Sequence, residues 1–247
     1  MVGRPGVGYG RGVTESTIGE MYDAETYRVL DEAWNSWGRL DTDVIAHMIN
    51  PGFIGGPMWP AVRQAHAIAR RDDGLLVASS GLADPTEWDD AEPTNGYELE
   101  VFGISGDLAL NSDTLSVATS WLGQTVMTVS NLVAHYGFGF SEMLDRYEIF
   151  TIQLDNARLP DEGAQTYLDE NGALVVMLGL LDGELPATVP GPLAPIRLVN
   201  VKLLTVAEGR FCVNNSMGDG EARHELARRF AEQGGVLRSG LTRPSVV

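Results

Sequence analysis

Histidines, the cysteine and the clustered carboxylates carry most of the chemistry this chain could perform. The four histidines, His47, His66, His135 and His224, stand at no metal-ligand spacing from one another or from Cys212, the single cysteine. His66 falls in a strand-like stretch and His224 on the outer face of a helix, where both read as surface residues. Cys212 reads as a small core residue rather than a nucleophile. Glu98, His135 and Asp145 would make a hydrolase-like acid–base pocket if the fold brought them together. No nucleophile elbow is present, since Gly103-Ile104-Ser105-Gly106 lacks the spacing. No phosphate loop is present either: Gly6-Val7-Gly8-Tyr9-Gly10 follows no strand, and Lys202, the only lysine, lies inside one. Carboxylates crowd one stretch, Asp84, Glu87, Asp89, Asp90 and Glu92, at spacings that match no calcium loop. That stretch reads as a solvated loop and a candidate docking surface. No metal and no cofactor are expected.

Composition narrows the partners. Of 247 residues, 17 are Lys or Arg and 34 are Asp or Glu, a formal charge of −17. Such a surface repels nucleic-acid phosphates and anionic lipid and favours a basic protein partner. One cysteine excludes an internal disulfide framework. The longest apolar run, 173–181, falls well short of the roughly 20 residues of a membrane helix. The first residues, MVGRPGVGYGRG, lack the apolar core of a signal peptide, so a cytoplasmic protein is expected. With Lys202 the only lysine, arginine supplies almost all the basic charge, a bias typical of a high-GC bacterium.

The elements that would position these residues follow from periodicity. Residues 1–14 hold five glycines and little to bury, which predicts a flexible tail. Tyr27, Leu30, Trp34 and Trp37 recur at helical spacing over 26–37, and a second short helix is predicted over 43–49. Asp73-Gly74 marks a hairpin between 65–69 and 75–78. Tyr97, Leu99 and Val101 alternate with Glu98 and Glu100, as in a strand with one wet face. Leu122, Val126, Val129, Val133 and Tyr136 form one stripe of a helix capped by Ser120 and closed by Gly137. Strands are predicted over 147–154, 173–181 and 196–204, with a surface loop at 186–195. The run 173–181 reads as a central strand covered on both faces. Thr205 and Glu208 have capping-box spacing, and Ala222, Leu226 and Phe230 stripe the last helix. The fold class is α+β: a single domain with a mixed, mostly antiparallel sheet of five to seven strands and helices packed on it.

Three segments, in order, resemble the suppressor-of-fused family. The first is Leu75–Asp84, similar to the family's strand ending in Gly-Leu-Ser-Asp with Ala83 for Ser, followed by Asn95-Gly96-Tyr97-Glu98-Leu99-Glu100-Val101. The second is Ser120-Trp121 and its helix to Tyr136, where Leu122 replaces the family's proline, with Asp145 opening a strand. The third is Ile196–Glu208, with Asn200 as the central amide. Gly55-Gly56-Pro57 is a further match. The resemblance covers about 54–235 and corresponds to the family's N-terminal lobe only. It divides the chain into a tail (1–14), an N-terminal helical segment (15–53) and a suppressor-of-fused-like domain (54–247).

The resemblance implies a non-enzymatic protein-binding module. Animal members clamp an extended peptide between two lobes, and bacterial members are thought to act as immunity proteins against secreted toxins. It places partner contacts at His135, Tyr136 and Asp145; the acidic loop adds Asp84, Glu87, Asp89 and Asp90. A basic toxin would suit the charge of −17. The alternatives are the hydrolase-like pocket and a regulatory subunit of a complex.

Overall fold

The computed structural model describes residues 15–46, 51–61, 63–88, 92–214 and 220–247. The predicted tail, His47, Asp89 and Asp90 lie outside those residues.

The N-terminal aromatic stripe forms α1 (Glu15–Trp37), which buries Leu30, Trp34 and Trp37. It is followed by β1 (Arg39–Leu40), β2 (Ile45–Ala46) and a 3-10 turn at Pro51–Ile54. The helix predicted over 43–49 is therefore overturned at Ile45–Ala46, which pair with Ala65 and His66 instead. A neighbouring strand edge decides such a short apolar stretch, where helix propensity is weak.

The hairpin is β3 (Ala65–Arg71) and β4 (Gly74–Ser80), joined with Arg71 opposite Gly74. The acidic segment carries β5 (Pro85–Thr86) and β6 (Thr94–Asn95), paired with each other, before β7 (Leu99–Ser105). Three helices follow: α2 (Thr114–Thr119), α3 (Trp121–Tyr136) and α4 (Phe138–Tyr147). Then come β8 (Phe150–Leu154), α5 (Asp161–Tyr167), β9 (Leu174–Leu178), β10 (Thr188–Pro190) and β11 (Pro195–Leu204). The chain closes with α6 (Val206–Asn214), α7 (Glu221–Gln233) and β12 (Arg238–Ser239). The predicted surface loop at 186–195 is corrected by β10, which lays Val189 against Ile196 and buries it.

The main sheet runs β1-β3-β4-β7-β11-β9-β8, with β2 on β3, β10 on β11 and β12 on β7. The β7–β11 and β7–β12 pairs are parallel and the others antiparallel, so the α+β, mostly antiparallel expectation holds. Among the described residues the sheet has ten strands, seven on the main path and three short ones beside it, more than the five to seven expected.

Helices cover both faces. On one face, α3 lays Leu122, Val126, Val129 and Val133, all at 0% exposure, on Val77, Leu99, Val101 and Val201. Each such burial stabilises by about 1.5–3 kcal/mol. The close approach needs Gly103 in β7, where a Cβ would stand 2.9 Å from Leu122 and 3.0 Å from Val126. On the other face, α1, α6 and α7 bring Trp34, Cys212, Leu226 and Phe230 to Leu76, Phe102, Ile104 and Leu204. Trp34 and Phe102 lie 5.7 Å apart. Val176 in β9 is fully buried between the two layers, as the apolar run predicts. The wet face expected for β7 does not exist, and Glu100 is buried beneath the second layer.

Candidate functional site

His135 and Tyr136 occupy the last turn of α3 and are exposed. Gly137, at φ 55, closes α3 and starts α4. The strand predicted to open at Asp145 is corrected here: α4 runs to Tyr147, and Asp145 lies within it, exposed. Phe140 and Leu144, four apart, are buried and hold the helix on the sheet. The following β-prone run begins only after Glu148, whose φ of 55 breaks the helix. Asp145 forms an ion pair with Arg197 of β11.

The acidic loop joins this corner through a tryptophan. Trp88 stacks on Tyr97 at 5.5 Å and meets Phe138 edge-on at 5.4 Å, while Tyr97 and Phe138 are 5.6 Å apart. Trp88 Nε1 donates to Thr94 Oγ1 at 2.7 Å, and Ser141 Oγ donates to the Tyr97 carbonyl at 3.0 Å. The Gly55–Pro57 loop also arrives here, lining with Asn131 and His135 a shallow cavity of about 450 Å³. Phe53, Met58 and Tyr136 are exposed nearby in the chain, at 77%, 69% and 58%. Glu87 is exposed at the rim of the loop. Two stretches distant in sequence thus meet in one aromatic cluster, with Phe138 exposed and Glu87 exposed next to Trp88 in the chain.

Asp84 does not belong to that rim. The sequence reads it as solvated, but it is 2% exposed and accepts from Tyr27 Oη at 3.3 Å. Among the described residues, its buried Oδ1 has no hydrogen-bond partner. Burial pushes its carboxyl up to about 6, against the opposing charge of Arg63 and with the help of Asp23. Beside it, Glu100 accepts from the N–H groups of Gly81 at 2.9 Å and Ala83 at 3.0 Å, and from Ser79 Oγ. Burial pushes this carboxyl up to about 7. Asn95 ties the region together. It donates to Thr26 Oγ1 at 2.8 Å and accepts from the N–H groups of Leu193 and Ala194 at 2.9 and 3.0 Å. The sequence offers Asn95 only as the first residue of a family-like strand, with no sign of this bridging role.

His66 is likewise corrected from surface to core. It is 2% exposed, lies 3.2 Å from Ser130 Oγ and meets Trp59 edge-on at 5.6 Å. β2 and β4 flank its strand on both sides, which the sequence of the strand itself does not announce. His224 is exposed as expected. Cys212 is 8% exposed, with burial raising its thiol to about 11, the environment of an unreactive core thiol. Lys202 is fully buried, donates to the carbonyls of Gly235 at 2.6 Å and Arg238 at 2.5 Å, and is lowered by burial to about 7.

The hydrolase-like set is only partly assembled. Arg197 touches both Glu98, through a backbone bond of 2.9 Å to its carbonyl, and Asp145, through its side chain. His135 lines the Gly55–Pro57 cavity and Asp145 a different cleft. Among the described residues, no three His, Cys, Asp or Glu side chains come together to hold a metal. No described helix is long and apolar enough to cross a membrane.

The overall fold has a solved counterpart. The chain is similar in fold to a chain of the Sufu–Fu complex crystal structure. The match has a TM-score of 0.52 and 11% sequence identity, and covers 94% of this chain and 91% of that chain. No family model and no curated protein matches the sequence. At this identity the likeness concerns the fold, and the roles of individual residues rest on the geometry above.

Proposed function

We propose that the chain is a non-enzymatic protein-binding module whose partner docks on the α3–α4 corner and the acidic loop. The observation that carries the reading is the Trp88–Phe138 contact, which merges two stretches with docking features into one surface. An aromatic centre with a charged rim is the anatomy of a binding surface. The likeness to a chain solved in the Sufu–Fu complex supports the same reading. The proposed docking residues are His135, Tyr136 and Asp145, with Glu87 exposed at the rim; Asp89 and Asp90, which follow Trp88 in the sequence, are included on their charge alone. β8 is the last strand of the main path, and no described strand pairs with its outer edge, a position at which an extended partner segment could add a strand. The finer form is a bacterial, cytoplasmic immunity protein that neutralises a basic toxin; the charge of −17 would speed that encounter.

The test is a pull-down from the source cells followed by surface-plasmon kinetics at two salt concentrations. Asp89 and Asp90 reversed to Arg should slow association and flatten its salt dependence. Trp88→Ala should weaken binding by about 2 kcal/mol or more, mostly through faster dissociation. Asp145→Arg sets a second cation beside Arg197 and should weaken binding by about 2–5 kcal/mol. Wild-type kinetics in all three variants would remove this surface. A partner that is a stable subunit of a larger complex rather than a toxin would replace the immunity reading with a regulatory one.

A further inference from the structure

β11 changes neighbours part-way along its length. Arg197 pairs with Thr188 of β10, whereas Val201 pairs with Leu178 of β9. Between them the sheet forks at Leu198 and Val199. Gly179, at φ 85, turns the chain out of β9 and lies so close to the Glu148 carbonyl that a Cβ there would collide. Glu148, at φ 55, makes the turn between α4 and β8. The fork leaves a cleft of about 630 Å³, inside the usual range of about 300–1,000 Å³ for small-molecule sites.

The lining is apolar below and charged at the mouth. Leu144, Leu180, Leu198 and Val199 form the floor, and Ala227 and Ala231 of α7 leave room on one side. Leu144 belongs to the α3-side core and Leu198 to the α1–α7 side, so the cleft reaches into both layers. At the mouth stand Asp145, Glu148 and Arg197, two carboxylates and one guanidinium, a net charge of −1, together with Thr188 and His224. Asp145 is engaged by Arg197. Among the described residues, the Glu148 side chain has no hydrogen-bond or ion-pair partner. The ten-residue helix α4 also ends here, and its C-terminal carbonyls place the negative end of the helix dipole at the mouth.

We propose that this cleft binds a small amphiphilic cation: an aliphatic chain ending in a single ammonium group. The chain lies on Leu144, Leu198 and Val199, and the ammonium sits between Glu148 and the end of α4. The proposal does not rest on the protein-binding reading and survives its failure.

The probe is n-octylammonium, titrated into the full chain and followed by amide NMR, with octanoate and 1-octanol as matched controls. Saturable shifts centred on Leu198, Val199 and Ala227 are expected, with octanoate at least about tenfold weaker. Glu148→Gln should weaken the amine about two- to fivefold, the range of a solvent-facing ion pair. Ala227→Trp fills the cleft, and Ala187→Phe blocks its exposed rim without entering the core; either should abolish binding. The proposal is overturned by the absence of saturable binding or by octanoate or octanol binding as tightly as the amine. It is equally overturned by undiminished binding in Ala187→Phe.

Discussion

Glu100 and Glu208 are both at 0% exposure, and their carboxyls move in opposite directions. Burial penalises the charged form of each. Around Glu100 the compensation is neutral: Ser79 Oγ and the N–H groups of Gly81 and Ala83, with the carboxylate of Asp84 nearby to oppose it. Desolvation wins, and the group rises to about 7. Around Glu208 the compensation includes a guanidinium. Arg243 Nη1 and Nη2 donate at 2.7 and 2.5 Å, joined by the N–H groups of Thr205 at 2.8 Å and Val246 at 3.0 Å. Those bonds and the Arg243 charge outweigh burial and lower the group. At Glu100 the neutral donors do not outweigh the lost hydration, whereas at Glu208 the bidentate guanidinium, together with two N–H groups, does. One site is therefore a closed structural centre, and at the other burial favours the protonated carboxyl.

Breaking the closed centre should have the largest effect. Arg243→Met leaves Glu208 buried without a cation and should destabilise by about 3–5 kcal/mol in denaturant unfolding. A loss under about 1 kcal/mol would mean that the two centres do not differ as described.

The acidic centre should be read through pH. A folded-state value raised above the ordinary 4.5 means that the folded protein holds a proton the unfolded chain gives up. The resulting stability is complete below about 4.5 and lost as pH rises through about 7, with a slope of up to about 1.4 kcal/mol per pH unit. Glu100→Gln keeps an acceptor for Gly81 and Ala83 and should remove most of the slope between about pH 6 and 7. An unchanged slope in unfolding experiments would show that Glu100 is not its source. Glu208 has the reverse sign: its contribution is present above the ordinary value of 4.5 and is lost as pH falls further.

The smallest effect separates two residues that the sequence treats alike. Glu87→Gln, at an exposed side chain, should change stability by less than about 0.5 kcal/mol. Asp84→Asn, three residues earlier, should flatten the stability curve on the acid side of about pH 6. Identical curves for the two variants would return Asp84 to the solvated loop.

Much of the architecture was legible because its signals are local. Ser120 does accept from the Gly123 N–H, and Thr205 and Glu208 do exchange bonds at 2.8 and 3.2 Å. The α3 stripe, the turn before Gly74, the helix closures at Gly137 and Gly234 and the strand over 196–204 likewise depend on residues within one or two turns of each other. The docking stretches were legible as composition, but not as one surface, since the Trp88–Phe138 contact spans 50 positions.

The sequence by itself determined which segments bury an apolar stripe, where helices are capped and that the surface is acidic, because neighbours along the chain set those properties. Only the tertiary structure decided which polar residues are wet. A strand alternating Glu98, Leu99, Glu100 and Val101 predicts a solvated face, and α1 converts part of that face into core by laying Trp34 against Phe102. The same burial removes Asp84 from the docking loop and His66 from the surface. It left Asp145 in a helix because the Phe140–Leu144 contacts outweigh the β-prone run that follows. Burial is a property of two surfaces meeting, and the second surface in each case lies tens of residues away.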